Sequence, residues 1–177
     1  MGFHMTIRSL LLTISLVFLV SCASDNSNPE LTVDQKKAQL YYDHGTGFLI
    51  GQQYTEALDY LLKALKSDPN RSDVHNNLGM AYYFKERPEQ AIFHLKRSIE
   101  LDSTNDDARN NLASLYFNLK KYDLAEKAYQ DAINTGNNSV KSHMVLANFY
   151  NSIKQPEKAL ASYQKASALE PENLSIK

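Results

Sequence analysis

The 177-residue chain carries 19 lysines and arginines against 20 acids, a net charge of −1, with 43% hydrophobic residues and a single cysteine. That balance excludes the strong positive field a nucleic-acid partner needs, and one cysteine excludes an internal disulfide framework or a cysteine-based zinc site. The length suits one domain of ordinary size once a leader is subtracted.

Residues 10–20, LLLTISLVFLV, form an uncharged run preceded by Arg8. Eleven residues make about 16 Å of helix, roughly half of a ~30 Å hydrocarbon core, so the run is too short to span a bilayer and has the form of a secretory leader. The chain is expected to be exported. Where an ordinary small-residue cleavage pair would stand, it reads Leu19-Val20-Ser21-Cys22, which resembles the lipobox of bacterial lipoproteins. The resemblance implies a signal peptide over 1–21 and acylation of Cys22 as the first mature residue, with several acyl chains giving an anchor that one chain cannot. The plain alternative is an incidental cysteine at the end of a leader. Ala23-Ser24, with no aspartate after the cysteine, resembles the outer-membrane sorting pattern, which implies a protein facing the periplasm. Residues 22–33, rich in Ser, Asn, Asp and Pro, suit a flexible tether.

From there on the chain repeats itself. Alanines stand at 57, 91, 125 and 159, each 34 residues after the last (91−57, 125−91, 159−125). The same spacing carries Phe48, Tyr82, Tyr116 and Tyr150, the small residues Gly45, Gly79, Ala113 and Ala147, and a further ladder of Ala64, Ser98, Ala132 and Ala166. Leu58, Leu61, Leu62 and Leu65 recur at helical spacing and read as one apolar stripe. Pro88 and Pro156 sit where helices should begin, since a first-turn proline has no amide hydrogen bond to lose. The pattern predicts helices over 34–50, 54–67, 72–85, 88–101, 106–119, 122–134, 140–153 and 156–169.

Together these ladders, and the segment NNLGMAYYFKERPEQAIFHLKRSIELD with Leu78, Gly79, Tyr82 and Ala91, resemble the tetratricopeptide repeat. The resemblance implies an all-α fold: four helix-turn-helix repeats (38–71, 72–105, 106–139, 140–173) within 34–177, forming a right-handed superhelical solenoid with a concave wall. Each unit then buries its apolar face only against its neighbours. Two departures stand out. The glycine usual in the turn within each repeat is Gln52, Glu86, Lys120 and Lys154 here, so less tightly capped turns are expected. The closing proline survives as Pro69 and Pro171 but is Ser103 and Asn137 in the middle repeats, leaving the NTGNNS junction with the least defined geometry. Ser167 replaces the Leu65, Ile99 and Ile133 of earlier repeats and partly polarises the last unit. Leu160, Tyr163 and Leu169 are expected to stay exposed and to invite self-association or a partner.

Nothing in the sequence converges on catalysis, and no metal or cofactor is expected. His75 and His143 are equivalent places two repeats apart, about 20 Å at 8–10 Å per helix layer, so surface or interface packing is the reading for them. Asp106 and Asp107 fit a helix start. The non-core residues of each first helix form the candidate groove: Tyr42, Asp43, Thr46 and Leu49, then Asn76, Asn77, Met80 and Tyr83, then Asn110, Asn111, Ser114 and Phe117, then Met144, Asn148 and Asn151. Asparagine amides both donate and accept, so a row of them can hold an extended peptide backbone; Asn77 and Asn111 either do this or only solvate the wall. Met80, Tyr83 and Phe117 are either apolar seats or groove filling. Family members that clamp a chaperone's C-terminal carboxylate use basic residues where this chain has Tyr42, Asn76, Asn77 and Asp107, which disfavours that partner. Acylated leader plus short array resembles the pilotin lipoproteins that help type IV pilus secretins assemble. The implied function is a non-enzymatic, membrane-anchored adaptor for a protein or peptide in the bacterial envelope; an adaptor of cell-wall hydrolases and a regulatory subunit of a separate enzyme are the rivals.

Overall fold

The computed structural model describes residues 30–135 and 139–169, so Cys22 and the leader lie outside the described residues. Within them are eight helices: α1 (Val33–Ile50), α2 (Tyr54–Ser67), α3 (Ser72–Phe84), α4 (Pro88–Leu101), α5 (Asp106–Asn118), α6 (Tyr122–Thr135), α7 (Val140–Ser152) and α8 (Pro156–Leu169). Every expected boundary falls within one residue of these. Helix starts are chemically marked. The Thr32 hydroxyl accepts from Gln35 N and the Gln35 side chain accepts from Thr32 N, a reciprocal cap that satisfies two otherwise orphaned donors. Asn105 and Ser139 cap α5 and α7, and Pro88 occupies the first turn of α4.

The turns inside the repeats are better closed than the missing glycines suggest. Gln52, Glu86, Lys120 and Lys154 all adopt φ between 57° and 59°. In each turn that residue donates to the carbonyl three back and the next residue to the carbonyl five back, as with Lys120 N to Phe117 O (2.8 Å) and Lys121 N to Tyr116 O (2.9 Å). This is the double hydrogen bond of a left-handed helix cap. The expectation of loose turns is therefore corrected: non-glycine residues take the left-handed conformation because two hydrogen bonds offset its cost, of order 1–2 kcal/mol.

The helices stack in chain order as paired layers, α1 on α2, α3 on α4, α5 on α6 and α7 on α8, each pair packed on the next. Two solutions join the helices of a pair. In repeats one and two a Cβ on Gly45 or Gly79 would stand 2.7 Å or 2.5 Å from Cγ of Leu61 or Leu95, so only glycine admits a γ-branched leucine there. In repeats three and four the same places hold Ala113 with Tyr129 and Ala147 with Tyr163: the flat ring tolerates a methyl group and carries its hydroxyl on towards the concave side. The buried line of α2 is Ala57, Leu61 and Ala64, whereas Leu62 is exposed; the four-leucine stripe read from the sequence includes one residue too many.

The apolar interior forms two blocks. One gathers Ala57, Leu61, Ala64, Val74, Leu78 and Ala81 from α2 and α3. The other runs from Ala91 and Leu95 through Leu112, Tyr116, Tyr129 and Phe149 to Ala159. Tyr82 packs against both. Between α3 and α4, Gly79 packs closely on Leu95, and beside that apolar contact lies a polar one. Ser98 Oγ donates to Ser72 O (2.8 Å), Ser72 Oγ lies 3.0 Å from Ser98 Oγ, and His75 Nδ1 faces His94 Nδ1 at 3.0 Å. At the C-terminal end Leu160 and Leu169 are 59% and 42% exposed, while Tyr163 is half-buried and Ser167 exposed.

Candidate functional site: the wall of first helices

Helices α1, α3, α5 and α7 present equivalent faces, and the structure ties several of the expected groove residues to one another. Asn77 Nδ2 donates to Thr46 Oγ1 at 2.9 Å and Asn111 Nδ2 to Asn76 Oδ1 at 2.9 Å, with Asn76 Nδ2 3.4 Å from Asn77 Oδ1. Thr46, Asn77, Asn76 and Asn111 are thus one network across three helices. The bonds run diagonally between repeats, so Asn77 and Asn111, though equivalent in sequence, do not contact one another through a direct rung. Val145 occupies the next equivalent place (145−111 = 34) and ends the series. Each amide has two N–H groups and two acceptor lone pairs, so a network that spends one N–H of Asn77 and one of Asn111 fixes the side chains and leaves them capacity for a ligand.

The rest of the wall falls into smaller groups. Asn118 Nδ2 donates to the Tyr83 hydroxyl at 2.7 Å, and the Tyr83 ring tilts against Phe84 at 5.1 Å. Ser114 Oγ lies 3.0 Å from Tyr129 Oη; burial pushes the Tyr129 phenol up, so this hydroxyl stays protonated. Tyr163 Oη donates to Asn148 Oδ1 at 2.6 Å and accepts from Asn151 Nδ2 at 3.3 Å. Phe117 stands edge-on to Phe149 at 5.9 Å. Met80, Asn110 and Phe117 are half-buried on the same faces, and Met144 is 46% exposed. Asp43 accepts from Gln39 at 2.7 Å. Tyr42 lies under the Arg71 guanidinium, 4.7 Å from its ring centre; Arg71 also pairs with Asp73, whose hydrogen bond holds the guanidinium above its usual range.

Sequence reasoning missed Asn118, Arg71 and Tyr129, and assigned Tyr163 to an exposed terminal patch, whereas it is half-buried with its hydroxyl on Asn148 of the wall. The two tyrosines had a signal: they are 34 apart (163−129) and replace Leu61 and Leu95 of the earlier repeats. The contact of His75 with His94 was not foreseen. His75 meets His94 of its own repeat and not His143, and all three are buried while His44 is exposed; interface packing is the part of the expectation that holds.

Known proteins bear on this geometry in three ways. Models described as "Tetratricopeptide repeat" match residues 60–93, 85–149 and 140–173. No curated protein sequence matches the chain. Among solved structures the fold is similar to PilF of Pseudomonas aeruginosa at TM-score 0.68 and 21% identity, over 79% of this chain and 64% of that one. YrrB, described as a TPR protein with an unusual peptide-binding site, is similar at TM-score 0.60 and 25% identity, over 77% and 71%. The first TPR of Spaghetti (RPAP3), bound to an HSP90 peptide, is similar at TM-score 0.61 and 21% identity, over 69% and 97%. Overlapping at their ends, the family matches together cover residues 60–173, and the chain belongs to the tetratricopeptide repeat family.

Proposed function

We propose that this chain is a non-enzymatic scaffold, lipid-anchored through Cys22 at the periplasmic face of the outer membrane, whose wall of first helices holds an extended segment of a partner and assists assembly of a type IV pilus secretin. The observation that carries the binding part is the amide network of Thr46, Asn77, Asn76 and Asn111. Its rotamers are set before a ligand arrives, which lowers the entropy cost of binding. Beside it Met80, Tyr83 and Phe117 offer half-buried apolar seats. Fixed amides for a backbone and adaptable apolar seats for side chains suit a peptide read mainly by its main chain. Tyr42, Asn76, Asn77 and Asp107 carry no positive charge, and the cations beside them are engaged, Arg71 by Asp73 and Lys141 by Asp107; a partner held by a carboxylate clamp does not fit.

Support for the anchor comes from Leu19-Val20-Ser21-Cys22 and the polar tether behind it. The pilus part rests on joining an acylation sequence to a short repeat array. In cells, photocrosslinking from position 114, an exposed place on the same wall, should capture one dominant envelope partner, and Asn77→Ala with Asn111→Ala should lose it while far-ultraviolet circular dichroism is retained. Unchanged capture by the double variant refutes the wall. Cys22→Ser should abolish fatty-acid incorporation and release the protein from the membrane. Deletion of the gene should remove secretin multimers, and normal multimers would refute the pilus role.

A further inference from the structure

One place in the repeat is occupied in three different ways. His75, Arg109 and His143 are equivalent (109−75 = 34, 143−109 = 34) and are all about 5–6% exposed. In repeat two the space beside this residue is filled by His94, with the two rings 5.1 Å apart. In repeat three the residue fills the space itself: the Arg109 guanidinium donates to Ser103 O at 2.5 Å and approaches Asp106. In repeat four neither plug is present, and His143 borders a cavity of about 330 Å³ between α6, α7 and α8. This is within the ~300–1,000 Å³ range of small-molecule sites. It uses a different face of α7 from Met144, Asn148 and Asn151, so it is separate from the groove.

The cavity lining has two characters. Leu146, Ile133 and the Tyr150 ring supply an apolar side, while Lys158 and Lys165 supply positive charge; repeat three has Leu124 and Asp131 in their places (158−124 = 34, 165−131 = 34). Lys158 is engaged, 3.2 Å from Glu126 and 5.1 Å over the Tyr150 ring. Lys165 has no ion pair among the described residues, so one ammonium at the cavity is uncompensated. Asn134 adds an amide beside it. A single uncompensated cation next to an apolar surface matches a ligand with one negative charge and an apolar body; a phosphate, with more charge and no apolar part, would leave Leu146 and Ile133 facing water. We propose that this cavity is a second binding site, taking a small organic monoanion whose carboxylate meets Lys165 and Asn134 and whose apolar body lies on Leu146, Ile133 and Tyr150.

The array supplies its own plug for the test. Detergent-solubilised full-length protein is titrated with sodium benzoate at constant ionic strength, following the His143 ring signals by ¹H–¹³C NMR, with benzyl alcohol and sodium phosphate as shape and charge controls. A saturable shift with benzoate alone is expected. Lys165→Met, an exposed change that keeps the side-chain length, should weaken it at least about fivefold, roughly 1 kcal/mol. His143→Arg, copying Arg109, should abolish the binding, read from the Tyr150 ring signals in that variant. Thermal melts check that both variants fold. A non-saturating response, an equal response to benzyl alcohol or phosphate, or indifference to Lys165→Met overturns the assignment.

Discussion

Replacing Gly79 by alanine should destabilise the array although it improves helix propensity by about 1 kcal/mol. The added Cβ would stand 2.5 Å from Leu95 Cγ, 2.9 Å from Leu95 Cδ2 and 3.2 Å from Ala91 O. The first distance is about 1 Å inside a ~3.5–4.0 Å carbon contact. Leu95 is fully buried and cannot turn to solvent, and the carbonyl of Ala91 is backbone, so relief requires α3 and α4 to separate. Overpacking costs about 1–3 kcal/mol, and a clash this deep with backbone behind it belongs in the upper part of that range; net of the propensity gain about 1–2 kcal/mol is lost, which should lower Tm by about 2–8 °C in a domain of this size. Thermal and urea unfolding followed at 222 nm would measure it. Repeat three supplies the repair: Gly79→Ala with Leu95→Tyr and Met80→Ser recreates Ala113, Tyr129 and Ser114, including the hydroxyl pair seen at 3.0 Å, and should recover most of the loss. A Gly79→Ala protein as stable as wild type would refute the close-approach argument.

Acid should weaken the fold through the histidine pair. Burial lowers the His75 ring and lowers His94 to about 4, the latter with help from the charge of His75. Both folded-state values lie below the unfolded one, so their stability is fully present above about pH 6.5 and is lost as pH falls towards about 4; at pH 5 the His94 part alone is about 2 kcal/mol. Melts at pH 7 and pH 5 should show it, and His75→Leu with His94→Leu should flatten the difference. Lys120→Gly and Lys154→Gly should raise stability by about 0.5–1 kcal/mol each in urea titrations, because both residues sit at φ near 58°, where glycine has no Cβ penalty. Tyr129→Phe should cost about 0.5–1.5 kcal/mol by removing the hydroxyl bond to Ser114.

What could be read from the chain was whatever repeats every 34 residues. The helices, the small residues at 45, 79, 113 and 147, and the proline starts follow from that period, because equivalent residues meet equivalent neighbours. Contacts that break the period were hidden. Asn111 reaches Asn76 and Asn77 reaches Thr46, separations of 35 and 31 (111−76, 77−46), so comparing equivalent positions cannot pair them. His75 and His94, 19 apart (94−75), meet within one repeat. The caps at Gln52, Glu86, Lys120 and Lys154 were misjudged because residue type was weighed without the two backbone bonds that hold each turn. Gly79 with Leu95 and Ala113 with Tyr129 form a size-matched exchange visible in the letters, but its meaning depends on the distance between the helices.

The polar part of the contact between α3 and α4 makes repeat two the acid-sensitive layer of the array. Ser72 with Ser98 and His75 with His94 join two apolar blocks that share the Tyr82 ring. A load that parts these two helices must strip Leu95 from Gly79 as well as break those polar bonds. Opening that seam frees two rings that take up protons only once they leave it, so the force needed to part α3 from α4 should fall as the pH falls.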